Sequence, residues 1–153
     1  MPTIHFDTAM AITGLGRTSL WRRISTTPDS SETVVPAKGH KRTRIDLDSA
    51  LTWAGLTLND ADRALITAAD AGDAAAQREL GMLFLELSLP ERAAHWLHLA
   101  AAQGDADAMQ WLGKLCARGD GVELDEAQAI AWIKKAAEGG HIIAQRQVAE
   151  LGL

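Results

Sequence analysis

The sequence predicts a mainly α-helical chain in two parts: short helices around a β-hairpin in residues 1–57, then a stack of two-helix repeats in 58–153. Three observations predict it. A ten-residue pattern rich in alanine and leucine returns after 32 residues in the second half. The first half has another texture, with short apolar stretches punctuated by glycine and a polar Ser/Thr/Pro loop. The charge also changes sign: residues 1–57 hold seven Lys/Arg against five Asp/Glu, and residues 58–153 hold eight against fifteen.

Composition supports a packed core. Apolar residues make up 47% of 153 positions, and tyrosine is absent. An alanine–leucine core suits close-packed helices better than a strand sandwich. Cys116 is the one cysteine, so an intrachain disulfide and a cysteine-only metal cage are excluded, and a reducing, cytoplasmic setting is expected. The start, Met1-Pro2-Thr3-Ile4-His5, has no basic or apolar run of the secretory kind. No stretch reaches the ~18 apolar residues of a membrane span.

The first half begins with a helical stretch over 6–13, closed by the turn Gly14-Leu15-Gly16. A second short helix follows from Arg17 to Ile24, with Leu20, Trp21 and Ile24 on its apolar face. Residues 25–31 form a polar loop. Segments 32–36 and 40–45 flank Ala37-Lys38-Gly39 and read as a hairpin. Asp46 caps a third helix carrying Leu47, Leu51 and Trp53, which ends at Gly55.

Helix, turn, helix, hairpin, helix is the order of a winged helix-turn-helix. Thr13-Gly14-Leu15, Arg17 through Arg22, and Gly39 through Leu47 resemble the MerR-like and excisionase-like DNA-binding domains. The resemblance implies that the second helix enters the major groove of double-stranded DNA. Arg17, Thr18, Ser19, Arg22 and Arg23 would then meet bases and phosphates, arginine suiting the O6/N7 pair of guanine. Strand alternation sends His40, Arg42 and Arg44 to one face of the wing and Lys41, Thr43 and Ile45 to the other. The wing's Lys38, His40, Lys41, Arg42 and Arg44 are further DNA candidates; such charges equally protect an edge strand from aggregation.

In the second half, Gly72 to Gly81 and Gly104 to Gly113 both read G-D-x-x-A-x-x-x-L-G, and a worn third copy starts at Gly140. Ala93 and Trp96 match Ala129 and Trp132, and Ala100-Ala101 match Ala136-Ala137. The pattern predicts helices near 59–71, 73–87, 90–103, 105–118, 124–138 and 141–151. They make about two full two-helix repeats flanked by half repeats. Alanines let the axes approach, glycine ends one helix with positive φ, and aspartate caps the next. Ala108, Leu112-Gly113, the turn Gly119-Asp120-Gly121-Val122, Asp125, Ala129, Trp132 and Lys135 through Gly139 resemble the Sel-one-like repeats, relatives of the tetratricopeptide repeats. The resemblance implies an α-solenoid that binds other proteins and is not a catalyst.

No phosphate loop, nucleophile elbow or paired acid–base set is legible, so no enzyme and no cofactor are expected. His95 and His98 stand at i, i+3 after Glu91, but no fourth ligand is in sight and no metal is expected. Cys116 aligns with Phe84, a core position. Trp111 aligns with the polar Glu79 and Gln147; it either faces outward as an anchor for a partner or folds back over a neighbouring helix. Ile142 and Ile143 replace smaller or polar residues of the earlier copies. They predict an uncapped edge that pairs two copies through 141–153, unless the last helix turns both inward.

The leading expectation is a sequence-specific DNA-binding transcriptional regulator whose repeats mediate dimerisation or hold a protein partner. The alternative is a protein-interaction adaptor whose helix-turn-helix does not bind DNA. A structural component of a larger assembly leaves no distinct mark in sequence. Surface charge separates the first two: convergence of Arg17, Arg22, Arg42 and Arg44 on one face favours DNA, whereas acidic cover of that face favours the adaptor.

Overall fold

The computed structural model describes residues 2–27, 34–35 and 43–153. The chain divides into two compact units, Met1–Asp70 and Ala71–Leu153.

The N-terminal unit runs β1 (Thr3–His5), α1 (Phe6–Thr13), α2 (Arg17–Thr26), β2 (Val34–Val35), β3 (Arg44–Asp46), α3 (Leu47–Ala54) and α4 (Asp60–Asp70). Gly14, at φ 70°, donates its N–H to the Met10 carbonyl and closes α1. Gly16 starts α2 without a side-chain bond, so only its carbonyl, accepting from the Leu20 N–H, ties the turn to the helix. Leu20 and Ile24 point α2 into the core, and Trp21 stacks on Phe6 with centroids 5.0 Å apart. Burying each such aliphatic side chain stabilises by roughly 1.5–3 kcal/mol. The expected pairing of the two short segments is present: Val34 lies opposite Ile45 and Val35 opposite Arg44, antiparallel. Asp46 accepts the Ser49 N–H at 2.9 Å and caps α3, and Gly55 ends it, both as expected from the residues.

Two features depart from expectation. Strand β1 has no counterpart among the expected elements; it pairs antiparallel with β3 and makes it the middle strand, with Ile4 opposite Ile45. Three residues are too few to show alternation, and their partner lies some forty positions away. Helix α4 was expected as a half repeat in 58–153, but it groups with the N-terminal unit. Arg63 pairs with Asp48 of α3, and Asp70, whose side chain is 3% exposed, ties the far end of α4 to the sheet. It accepts the His5 backbone N–H at 2.9 Å, lies 3.0 Å from His5 Nδ1, and takes one Arg44 nitrogen at 3.3 Å. A nearly buried carboxylate requires such partners, and they stand on β1 and β3.

The C-terminal unit runs α5 (Ala74–Glu86), α6 (Pro90–Ala102), α7 (Ala106–Arg118), α8 (Glu126–Glu138) and α9 (Ile142–Leu151), within about two residues of the expected bounds. Helix α5 packs on α6 and α7 on α8 inside the repeats; α6 meets α7 and α8 meets α9 between them. Asp73, Asp105 and Asp125 cap their helices by accepting the N–H groups of Ala76, Ala108 and Gln128 at 2.7, 2.8 and 3.0 Å. In the worn third copy His141 takes over, its Nδ1 accepting from the Ala144 N–H at 3.1 Å. The repeated Leu-Gly step has a packing cause. A Cβ on Gly81 would lie 2.8 Å from Leu97 Cγ, and one on Gly113 2.9 Å from Ile133 Cγ1, so each repeat crosses its two helices at a glycine. Leu80, Phe84, Leu97 and Leu112 fill the core around these crossings with no exposed surface, and Trp96 is buried with them. The turn after α7 is held just as closely. A Cβ on Gly121 would fall 2.3 Å from the Pro90 carbonyl carbon, which no side chain can satisfy.

Candidate protein-interaction site

The sequence-derived DNA candidates do not all come together. Thr18, Ser19, Arg22 and Arg23 occupy one exposed arc of α2, opposite the buried Leu20 and Ile24. Arg17, also exposed, leans back over the Phe6 ring at 5.8 Å, with Asp7 at 4.0 Å. Lys38, His40, Lys41 and Arg42 lie outside the described residues. Arg44 stays on the face opposite Ile45 that alternation assigned to it, but its charge is used within the unit. Its guanidinium reaches Asp70, its Nε donates to Thr3 Oγ1 at 2.8 Å, and another nitrogen lies 3.1 Å from His5 Nε2. Thr43 and Ile45 are buried, so the alternation itself holds. What sequence reasoning missed is Asp70, which takes up the charge on the Arg44 face of β3.

The repeat unit holds a hollow of about 620 Å³. One wall is a stripe of α7: Trp111, Lys114, Leu115 and Arg118, at i, i+3, i+4 and i+7. The facing wall is the α5–α6 turn, with Leu85, Ser88 and Pro90, and Asp120 stands among the lining residues. Trp111 is half-buried against the core cluster of Leu97, Leu112 and Leu115, and it lines the hollow. The Lys114 ammonium sits 4.3 Å from the centroid of its ring, within cation–π range. Ser88 has φ 58° and is the one non-glycine residue in that region among the described residues. It occupies the left-handed turn that follows α5; after α7 the same turn is made by Gly119, at φ 69°. In both, the next residue donates its N–H to the carbonyl five positions back: Leu89 to Phe84 and Asp120 to Leu115. Sequence reasoning singled out Trp111 but not Lys114, Arg118 or Ser88. The helical spacing of the first two with Trp111 was the available signal; the backbone of Ser88 left none.

The last helix buries Ala144 alone, while Ile142 and Ile143 are 72% and 57% exposed. The alternative that both turn inward within their own chain does not hold. Gln110 donates to Gln147 Oε1 at 2.7 Å and pins α9 to α7.

His98 stands edge-on to Trp132 with centroids 5.5 Å apart, and its partial burial lowers its pKa. His95 meets Trp96 in the same way at 5.4 Å. Cys116 is buried as its alignment with Phe84 implied; burial, then the nearby Asp125 charge, push its thiol pKa up. Among the described residues no helix is long and apolar enough to cross a membrane.

Two segments, 74–105 and 106–141, match the Sel1 repeat model. Among solved structures, the chain is similar to a protective antigen present in uropathogenic Escherichia coli strains and displaying an SLR fold. That likeness has 34% identity over 69% of this chain and a TM-score of 0.53. It is also similar to a Sel1 repeat protein from Oxalobacter formigenes, with 32% identity over 64% of this chain and a TM-score of 0.55. The chain spans 21% and 42% of the length of these two structures. No curated protein matches it.

Proposed function

We propose that the chain is a protein-interaction adaptor whose two Sel1 repeats hold a partner in the hollow beside Trp111. The observation that carries this reading is the hollow itself: a half-buried tryptophan among Leu85, Pro90 and Leu115, rimmed by polar and charged side chains and open on a repeat surface. Large aromatics that are partly desolvated before binding lose little freedom on binding and dominate interface energetics. The test is selection of a random linear peptide library on the purified chain, with a Trp111→Ala variant in parallel. Peptides enriched on the wild type and lost on the variant support the reading; equal recovery on both refutes it.

DNA binding is the second reading, and the exposed arc of Thr18, Ser19, Arg22 and Arg23 favours it. The diversion of Arg44 to Asp70 weighs against it, because one of the cations expected on the basic face is used within the unit. Anisotropy with random duplex DNA decides: an Arg22→Ala/Arg23→Ala pair should lower affinity and the salt slope if α2 grips phosphates. The exposed Ile142 and Ile143 suit a second copy of the chain. Sedimentation of the wild type and Ile143→Asp tests that, and a monomeric wild type at micromolar concentration removes it.

A further inference from the structure

We infer that the hollow accepts a partner segment bearing a single carboxylate beside an apolar side chain. This rests on the hollow being a docking site and adds the chemistry of its occupant.

The charges point to it first. Residues 71–153 contain seven Lys/Arg and twelve Asp/Glu. Arg78 meets Asp105 at 2.9 Å, Asp107 at 3.6 Å and Glu79 at 3.8 Å, whereas among the described residues Lys134, Lys135 and Arg146 join no ion pair, so what sets Lys114 and Arg118 apart is their place beside Trp111 on the hollow. Lys114 and Arg118 are exposed on the hollow, and among the described residues neither joins an ion pair. Lys114 instead rests on the Trp111 ring, a weaker partner that an arriving carboxylate can supplement without displacing. Two cations one helical turn apart, offset on the hollow by Asp120 alone, present a local field for one anion.

The geometry sets the rest. Trp111 and Leu115 form an apolar row on α7, and Lys114 and Arg118 a cationic row next to it. Neighbours at i, i+3 lie about 5–6 Å apart at Cβ, so the two rows match side chains one or two residues apart on an extended segment. Asp120, also on the hollow, reduces its lining charge to a net of one positive, which disfavours polyanions such as a nucleic acid backbone. Ser88 adds an independent mark. Ser88 holds a left-handed backbone conformation, the one non-glycine to do so among the described residues, and it lies on the hollow. Strained backbone of this sort clusters at ligand sites.

The experiment uses the full chain and a random linear peptide library. Four proteins are compared: the wild type, Trp111→Ala, the charge reversal Lys114→Glu/Arg118→Glu, and the matched reversal Lys134→Glu/Arg146→Glu outside the hollow. All the reversed residues are exposed, and thermal melts check that each variant folds. The expected result is that wild-type peptides share an Asp or Glu beside Leu, Ile, Met or Phe. A selected peptide should bind Lys114→Glu/Arg118→Glu about tenfold more weakly, the scale of two exposed ion pairs, and the matched reversal almost unchanged. If the enriched peptides are neutral or basic, or keep their affinity for Lys114→Glu/Arg118→Glu while Trp111→Ala loses them, the docking site stands and the carboxylate inference falls. If wild type and Trp111→Ala recover the same peptides, or none, both fall.

Discussion

Replacing Gly81 with alanine sets two effects of opposite sign against each other. Gly81 lies inside α5, where alanine is favoured over glycine by about 1 kcal/mol of helix propensity. On an exposed face Gly81→Ala would therefore stabilise. Here the new Cβ would stand 2.8 and 2.9 Å from Leu97 Cγ and Cδ2 and 3.2 Å from the Ala93 carbonyl oxygen. Carbon atoms settle near 3.5–4.0 Å, so Leu97 must retreat by roughly 0.7 Å or more. Leu97 has no exposed surface to retreat into, and the Ala93 oxygen belongs to the backbone of α6. Overpacking of this kind costs about 1–3 kcal/mol, which outweighs the propensity gain. The net expectation is a loss of about 1 kcal/mol, or about 2–4 °C in Tm for a chain of this size. Thermal melts followed by circular dichroism measure it. Leu97→Ala alone should cost about 2–5 kcal/mol, and the double variant less than the sum, because the new methyl fills part of the cavity. A Gly81→Ala protein melting at or above the wild type, or strict additivity, would refute close helix crossing as the reason for the repeated glycine.

Four further outcomes are expected. Ser88→Gly relieves the left-handed strain and should raise stability by about 1 kcal/mol; an unchanged melt would show that the turn is not strained. Asp70→Ala leaves the His5 N–H and part of Arg44 without their acceptor and should cost about 2 kcal/mol in urea unfolding, a modest figure because His5 and Arg44 are partly solvated. His98 has a lowered pKa, so below the ordinary histidine range the unfolded chain binds a proton that the folded chain resists. Stability should thus fall as pH drops through that range, and a His98→Gln variant should lose less between pH values of about 7.5 and 5. Cys116, buried with a raised thiol pKa, should escape alkylation by iodoacetamide in the folded protein and react once unfolded.

The local signals for the repeat helices were strong enough to read directly. Glycine followed by a capping aspartate marks a helix junction through backbone geometry and one side-chain bond, both local, and Asp73 and Asp105 cap as their sequence implies. The same holds for the short N-terminal elements, where Gly14 and Asp46 act on their own neighbours. The alignment of Cys116 with Phe84 was also sufficient to bury it, because equivalent positions in stacked repeats meet equivalent surroundings.

Tertiary structure decided where elements and charges were shared. Strand β1 takes its hydrogen bonds from β3, some forty residues away, and α4 is tied to the N-terminal unit where Asp70 meets His5 and Arg44 and where Arg63 meets Asp48. Arg44 shows the limit of reading a charge by its residue type. Alternation gave its face correctly but not its neighbour, and a nearly buried carboxylate on that face turns a candidate phosphate contact into an internal ion pair. In the repeat half, nothing in the local sequence marks Lys114 and Arg118 as part of a site. Only packing of the α5–α6 turn against α7 puts them on a hollow with Trp111 and Ser88, because a concave site is a relation between elements that no single segment encodes.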